Sequence, residues 1–448
     1  MQNIKHNNPK VYRQVFILLS SIFVFYLVLS PSGNSTGSLL SLLIASLAGV
    51  VSITYTILLL APSQKYKILI ITLSFYLIKL GIGIFVYIFF IDTNYFSFNA
   101  DSLNWIWEYN WMHNSLINIS NAWNENHPLY ISDYFKQTNK NAYIFQIFGG
   151  LYYFGGTYSL NIAPFNAFFM FLSSMLIYIL TLSIWGNPKF ALAALVISSL
   201  QPIHMISSSF DRHSVGLFLV LLAFFLITYT SRKMLINIFL MLSAGALAGA
   251  MRKAYFVIPV IVFVYKSIGG GLNQKNILRS ILIVLIGILA FYATYDIYFA
   301  SYMETHSLHV QNNILNFPKL LVRSIIGVFP WNQIFDPVPG REMIFQYMLQ
   351  APYNITMVYF SFLFVLTHKV SRTVMSVFLY AILFYLSGVI GTENHIDYVS
   401  MSIPLLAIIV SRYSLVRVLT VYGSWVCIFI IASAVYTMLG FYGAGYFS

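Results

Sequence analysis

Carboxylate side chains are few in this sequence, and their positions indicate where acid–base chemistry could take place. Only 12 of the 448 residues are Asp or Glu. Carboxylates are common general acids and bases. Asp101 stands out because it follows an apolar run and precedes a stretch that contains three tryptophans and His113. It could accept the proton of an attacking hydroxyl group. Asp is also a frequent helix N-cap, and for the residue alone the cap is the commoner role.

A second set of candidate residues is basic. Arg212 follows Asp211 in a short polar turn, and Arg252 and Lys253 occupy another turn between two apolar runs. Arg binds phosphate oxygens through two parallel donors, so these side chains suit a phosphate group carried by a lipid. The alternative is that they extend to headgroup phosphates without a specific ligand. Further candidates for substrate contact are Glu108, His113, Asp211, Trp331, Arg341, Glu342 and His395.

Several other kinds of site lack support in the sequence. Cys427 is the single cysteine, so a disulfide or a cysteine pair within the chain is excluded. The histidines do not have the HExxH spacing of a zinc site, and no Walker loop, GxGxxG or serine nucleophile elbow is present. No metal site is assigned, although a divalent cation held by carboxylates is compatible with the sequence.

The elements that must position these residues are apolar. The chain is 59% hydrophobic and 8% charged, with a mean hydropathy of +0.78. Soluble domains carry about 25% charged residues, so the natural solvent of this chain is a lipid bilayer. The net charge is +12, but the basic residues occupy the ends of apolar runs. This distribution is typical of membrane topology and not of a nucleic-acid partner.

The apolar runs predict an all-α, polytopic transmembrane helical bundle that forms a single domain over residues 1–448. We expect about 13 spans and a cytoplasmic N-terminus. In this orientation basic residues gather at the inner turns, as the positive-inside rule requires, and all 12 acidic residues fall on the outer side. The predicted spans are 14–30, 38–61, 66–91, 162–185, 189–207, 213–230, 234–251, 254–267, 280–299, 351–367, 373–391, 397–411 and 418–440.

Two long segments are expected on the outer side. The first, 92–161, is the candidate catalytic loop, and its tryptophans predict an interfacial helix near 101–119. The second, 300–350, contains an apolar patch too short to span and is also expected to be interfacial or re-entrant. Gly245 and Gly249 form a GxxxG motif, which more often indicates close helix packing than function.

A series of short motifs occurs in order between residues 101 and 410. They are Asp101-Ser102, Phe148-Gly149-Gly150 with Leu160-Asn161, Leu200-Gln201-Pro202, Phe210-Asp211-Arg212-His213, Val328-Phe329-Pro330-Trp331 with Arg341-Glu342, and Ser402-Ile403-Pro404-Leu405-Leu406. This order resembles the GT-C class of integral membrane glycosyltransferases, particularly the bacterial protein O-mannosyltransferase and lipid A aminoarabinose transferase families. The sequence departs from the class in two places. Two extra spans precede the acidic loop, and the late span has Glu393 and His395 where arginines are usual.

The resemblance implies an inverting sugar transfer from a polyprenyl-phosphate or polyprenyl-pyrophosphate donor at the outer face of the bacterial inner membrane. Asp101 would be the general base, and Arg212, Arg252 and Lys253 would bind the donor phosphate. The acceptor would be a glycan or a lipid-linked precursor of a cell-surface polysaccharide, and the surroundings would be membrane lipids.

Two alternatives to a single-sugar transferase stay open. A Wzy-type polymerase, which joins undecaprenyl-linked repeat units of an O-antigen or capsule, would share the outer site, the lipid carrier and the two large loops. A flippase or transporter of lipid-linked sugars would more often show internal repeats and charges along a path from both sides. No repeat is visible in the sequence, and no acidic residue falls on the predicted inner side.

Overall fold

Every regular element that the computed structural model describes is helical, which confirms the all-α fold class. The structure describes residues 9–30, 39–60, 62, 64–86, 104–125, 142–202, 213–228, 234–251, 253–268, 344–391 and 400–438. Its α-helices are α1 (Pro9–Leu29), α2 (Leu39–Leu60), α3 (Lys65–Val86), α4 (Asn104–Asn124), α5 (Ala142–Gly155), α6 (Ile162–Trp185), α7 (Pro188–Ser199), α8 (His213–Thr228), α9 (Met234–Met251), α10 (Val257–Ile268), α11 (Ile344–Thr367), α12 (Arg372–Gly391), α13 (Ala407–Val410) and α14 (Leu415–Met438).

Six of these helices are long and apolar enough to cross a bilayer, namely α1, α2, α3, α6, α11 and α14. Six shorter apolar segments accompany them in the described part of the chain. The protein is therefore a helical membrane protein by the length and composition of its helices. Twelve of the predicted spans overlap described helical segments, whereas 280–299 lies outside the described residues. The count of about 13 spans stays a prediction.

Helical limits agree with the sequence patterns in some places and differ in others. The limits of α6 and α9 match the predicted spans residue for residue. Helix α11 starts at Ile344 rather than 351, because Gln346 and Gln350 lower the local hydropathy without breaking the helix. Residues 397–411 were expected to form one span. The described part is a 3₁₀-helix, Ser400–Leu406, followed by the short α13, with a rise of only about 20 Å.

The turn between α6 and α7 shows how local sequence sets helix ends. Helix α6 stops at Gly186, whose φ of 63° lies in the left-handed region that glycine adopts without strain. Its N–H donates to the Leu182 carbonyl, which closes the last turn. Helix α7 then starts with Pro188 in the first position, and the Asn187 side chain accepts from the Lys189 N–H at 2.9 Å.

Helix α6 is the centre of the bundle. Within its most apolar stretch, 83% of the residues are buried inside the protein. It contacts α1, α2, α3, α7, α8 and α13. Aromatic rings fill the space at its distal half: Phe168 stacks on Phe25 of α1 with centroids 4.8 Å apart, and Phe165 meets Phe148 of α5 at 5.0 Å. The positions of these six helices are therefore set largely by their packing on α6.

Basic residues gather at one end of the bundle, which we call the basic end. The Arg412 guanidinium lies over the rings of Trp185 and Phe190, 5.0 and 4.6 Å from their centroids. Lys266 donates to the carbonyl of Thr228, the last residue of α8. The opposite end, which we call the distal end, is the one predicted to be outer. Described basic residues at the basic end are Lys10, Arg13, Lys65, Lys67, Lys189, Lys266, Lys369, Arg372, Arg412 and Arg417.

The GxxxG motif of α9 packs within the chain, as expected. A Cβ on Gly245 would lie 2.9 Å from the Phe256 ring, and one on Gly249 would lie 3.5 Å from the Phe256 Cβ. Phe256 ends the short 3₁₀-helix Lys253–Phe256 that follows α9. The two glycines therefore allow the chain to fold back closely on α9 at the distal end.

Candidate functional site

Segment 92–161, which is predicted to be the first outer segment, contains a pair of described helices, α4 and α5, that pack against each other. The predicted helix near 101–119 is present as α4, Asn104–Asn124. Helix α5 was not predicted as a separate element. Its Gly149 faces Ile119 of α4 so closely that an added Cβ would overlap that side chain. The Trp123 and Tyr153 rings, 5.7 Å apart, extend the contact.

Helix α5 also packs against α1, which attaches the pair to the bundle. A Cβ on Gly150 would lie 3.2 Å from the Tyr26 ring, and one on Gly155 would lie 2.9 Å from the Leu29 side chain. The Tyr26 hydroxyl donates to the Ile147 carbonyl at 2.6 Å. The Phe-Gly-Gly sequence at 148–150 therefore has a packing role, since its glycines leave room for α1 on one side and α4 on the other.

A buried polar contact completes the attachment at the distal end. Ser41, near the start of α2, donates to the Gly155 carbonyl at 2.7 Å. The Asn161 amide donates to the Ser41 hydroxyl at 2.7 Å and to the same carbonyl at 3.1 Å. All of these side-chain atoms belong to fully buried residues. The start of α6, the start of α2 and the end of α5 are thus joined where no water competes for the hydrogen bonds.

His113 is the one predicted site residue whose side chain the structure describes. Its Nδ1 lies 2.6 Å from the hydroxyl of Tyr152, which is buried on α5. The rings meet edge to face, with centroids 5.5 Å apart. Burial lowers the pKa of the imidazole from its ordinary value, so the neutral form is favoured near pH 7. A neutral imidazole held by a phenol can orient a helix and can also relay a proton.

Other predicted site residues fall where the structure gives no side-chain geometry. For Glu108 and Lys253 it describes only helical backbone, in α4 and in the 3₁₀-helix after α9. The alternative role of Asp101 as a helix cap therefore remains untested, with α4 starting at Asn104. Outside the described residues lie Asp101, Asp211, Arg212, Arg252, Trp331, Arg341, Glu342 and His395.

Several helix ends adjoin these residues in sequence. Helix α8 starts at His213, directly after Arg212, and α9 ends at Met251, directly before Arg252. Helix α5 contacts α9, so the helix that leads to Arg252 touches the helix pair of the first outer segment. Within the described residues, this contact is one direct link between that segment and a helix that leads to a basic turn.

The structure identifies residues that sequence patterns did not single out. Tyr152, Tyr26 and Ser41 position the helix pair, and each acts across more than thirty residues of chain, so local patterns do not reveal them. The closest sequence signal was the Gly-Gly pair at 149–150. Lys79 is a further such residue, since it is only 6% exposed and lies on the face of α3 that also carries the buried Tyr76.

The described residues contain no group of three or more His, Cys, Asp or Glu side chains that could hold a metal ion. The chemistry that these residues can support is hydrogen bonding and proton transfer at His113–Tyr152. Comparison with protein families, with curated proteins and with solved structures gives no match for this chain.

Proposed function

We propose that this chain is an integral membrane glycosyltransferase that takes a sugar from a polyprenyl-phosphate or polyprenyl-pyrophosphate carrier at the distal end of the bundle. We further propose that this end is the outer face of the bacterial inner membrane, with the N-terminus in the cytoplasm. The product would be part of a cell-surface polysaccharide. The observation that carries the proposal is the contact of α5 with α9, which brings the first outer segment next to the helix preceding Arg252.

The proposed reaction needs a base and a stabilised leaving group. The acceptor hydroxyl oxygen attacks the anomeric carbon of the donor sugar, and its proton passes to the Asp101 carboxylate. The bond between the anomeric carbon and the phosphate oxygen breaks, and the carrier phosphate leaves with the electron pair. Arg212, Arg252 and Lys253 stabilise the charge that builds on that phosphate. The attack from the opposite side inverts the anomeric centre.

The α4–α5 pair is consistent with this scheme because it provides a fixed base for the segment that contains Asp101. Asp101 precedes α4 by three residues, so the position of α4 limits where the carboxylate can lie. The glycine contacts with α1 and the buried Ser41–Asn161 contact hold the pair against the bundle. In this scheme His113 and Tyr152 are positioning residues, because their hydrogen bond joins α4 to α5.

The test is an activity assay with matched variants in a deletion strain. Asp101→Asn and Arg252→Ala should each reduce polysaccharide assembly by about 10²- to 10⁴-fold, the range for losing a general base or a charge-stabilising group. Glu125→Gln and Arg372→Gln are the controls, since they change exposed residues of the same types at the end of α4 and at the basic end.

Full activity of both Asp101→Asn and Arg252→Ala at normal protein levels would reject the assignment of these residues. The lipid-linked intermediates should also be analysed. Accumulation of complete, unpolymerised repeat units would favour the Wzy-type polymerase over single-sugar transfer. Transport of a lipid-linked sugar by the purified protein without a new glycosidic bond would favour the flippase.

A further inference from the structure

A groove opens between α1 and α8 near the basic end. Its volume is about 650 Å³, and its walls are formed by Phe16 and Leu19 of α1 and by Leu222 and Leu226 of α8, with Arg13 at one edge. Phe16 is 72% exposed and Leu19 37% exposed, so the groove opens toward the lipid and not toward the core. Nothing in the proposed glycosyl transfer, which takes place at the other end of the bundle, uses this groove.

The length of the groove along α1 fits within one leaflet of a bilayer. Arg13 lies in the second turn of α1, at the basic end, where a lipid headgroup would lie. From Arg13 to Leu19 the helix rises about 9 Å, and half of the hydrocarbon core is about 15 Å thick. The groove therefore extends from headgroup depth along more than half of an acyl chain in that leaflet.

A pair of aromatic rings forms one end of the groove. The rings of Tyr12 and Phe225 meet edge to face with centroids 5.9 Å apart, bridging α1 and α8 beside Arg13. The space beyond them is lined by leucine side chains and by Phe16, which suits a flexible hydrocarbon chain. A flat lipid-facing surface would give no such concave site.

The side chains at the edge of the groove carry positive charge, which favours lipids with an anionic headgroup. Arg13 is exposed, and Lys10 lies one turn before it on α1. Glu125 is the single acidic residue whose side chain the structure describes, and it directly follows the last residue of α4, away from this end. A phosphate group with net negative charge at this depth would meet positive charge and, among the described side chains, no carboxylate.

We infer that the groove between α1 and α8 binds one anionic phospholipid from the leaflet at the basic end. The headgroup phosphate contacts Arg13, and one acyl chain lies against Phe16, Leu19, Leu222 and Leu226. Binding here fastens α1, which is otherwise largely lipid-exposed, to α8. This site does not depend on the proposed glycosyl transfer.

Native mass spectrometry of the full-length protein can test the site. Detergent-purified protein is titrated with phosphatidylglycerol and with phosphatidylcholine of the same chains, and the dissociation constant of the first bound lipid is measured. The wild type should bind phosphatidylglycerol about fivefold more tightly, as expected for one cationic side chain at the membrane surface. Arg13→Gln should abolish this preference, whereas Arg372→Gln, which removes another exposed arginine at the same end, should retain it.

A second pair of variants tests the acyl-chain part of the groove. Phe16→Ala should weaken the binding of both lipids, and Leu222→Trp should fill the groove and do the same. Phe23→Ala should leave binding unchanged, because Phe23 is as exposed as Phe16, at 70%, but lies two turns away on α1.

Three results would overturn the inference. One is a wild type without lipid preference, and another is an Arg13→Gln protein that behaves like Arg372→Gln. The third is a different occupant of the groove. Displacement of phosphatidylglycerol by an equal amount of polyprenyl phosphate would assign the groove to the carrier lipid. A wild-type dimer that Leu222→Trp dissociates would assign it to a second copy of the chain.

Discussion

Helices α6 and α14 have the same length and nearly the same apolar character, yet they have opposite surroundings. Each has 24 residues, and their most apolar windows have mean hydropathies of 2.1 and 2.0. In α6 that window is 83% buried inside the protein, whereas in α14 it is 11% buried. Hydropathy therefore identifies a helix that can cross a membrane but does not tell whether its neighbours are protein or lipid.

The polar side chains of the two helices explain part of the difference. On α6, Ser174 accepts from Ser199 of α7 at 3.0 Å, and Asn166 accepts from Ser214 of α8. On α14, Thr420 and Ser424 each donate at 2.9 Å to a carbonyl one turn earlier in the same helix, and the bond of the Tyr422 hydroxyl to the Leu349 carbonyl of α11 is longer, at 3.4 Å. Hydroxyls and amides that bond to other helices hold a bundle together, whereas those that bond to their own backbone leave the helix independent of its neighbours.

The largest expected effect comes from shortening an isoleucine in each helix. Ile177→Ala on α6 should cost about 2–5 kcal/mol of unfolding free energy, because Ile177 is fully buried and its loss leaves a cavity. Ile431→Ala on α14 should cost much less, since Ile431 is 62% exposed and lipid fills the space. Denaturant titration in detergent micelles measures both. Equal losses would contradict the contrast between the two helices.

Two glycine substitutions test the same difference between a helix packed against protein and a helix exposed to lipid. Gly49→Ala on α2 places a Cβ into the ring of Tyr76, which is buried and donates to the Ser46 carbonyl at 3.0 Å. The expected cost is about 1–3 kcal/mol from overpacking. Gly423→Ala on α14 meets no atom within 4 Å and should be neutral or slightly stabilising. Thermal denaturation of both variants checks this, and a stable Gly49→Ala protein would show that α2 and α3 can separate at little cost.

Two serine substitutions compare a hydrogen bond between helices with a hydrogen bond within one helix. Ser41→Ala removes the hydroxyl that joins Asn161 and Gly155 and should cost about 1–2 kcal/mol, since a buried amide loses a partner. Ser424→Ala removes an exposed hydroxyl that bonds to its own helix, and it should change stability by less than about 0.5 kcal/mol. If the two variants have the same melting temperature, the buried contact of Ser41 with Asn161 and Gly155 does not stabilise the protein.

The smallest expected effect is the pH dependence of the α4–α5 pair. Burial lowers the pKa of His113, so the folded state binds its proton less tightly than the unfolded state does. This part of the stability is therefore complete above pH of about 6.5 and is lost as the pH falls toward the folded-state pKa. His113→Gln should remove that dependence from the melting curve.

Tyr152→Phe sharpens the same experiment, because it deletes the hydroxyl bonded to His113 and leaves the ring. The variant should loosen α4 from α5, as hydrogen exchange of the α4 amides can show. The control is Tyr153→Phe, which changes the neighbouring, 39% exposed tyrosine. A Tyr152→Phe protein indistinguishable from this control would mean that the hydrogen bond does not hold the pair.

Sequence patterns predicted the helices better than their contacts. The limits of α6 and α9 follow directly from apolar runs bounded by Gly186, by charged residues and by turns. The separate α5 was missed, since its apolar residues merged with those of the long outer segment. Helix α13 was expected to be part of a longer regular span, and a 3₁₀-helix containing Pro404 precedes it instead.

From the sequence, the site could be predicted only as a list of residue types expected on one side of the membrane. His113 was singled out, but its partner Tyr152 lies 39 residues away, on a helix that packs through two adjacent glycines. Such a pairing depends on how α4, α5 and α1 fit together, which residue spacing does not encode. The convergence of Asp101, Arg212 and Arg252 stays a prediction, because these residues lie outside the described part of the chain.

The proposed reaction at the outer face requires the distal end to lie outside the cell and the basic end to lie in the cytoplasm. Cysteine labelling tests this in a Cys427→Ser background, which removes the chain's single cysteine. Glu125→Cys and Lys67→Cys then place one exposed thiol each at the end of α4 and at the basic end. A membrane-impermeant maleimide added to intact spheroplasts should label Glu125→Cys at once and Lys67→Cys only after lysis. Labelling of Lys67→Cys in intact spheroplasts, with Glu125→Cys protected, would place the proposed site in the cytoplasm and contradict the account.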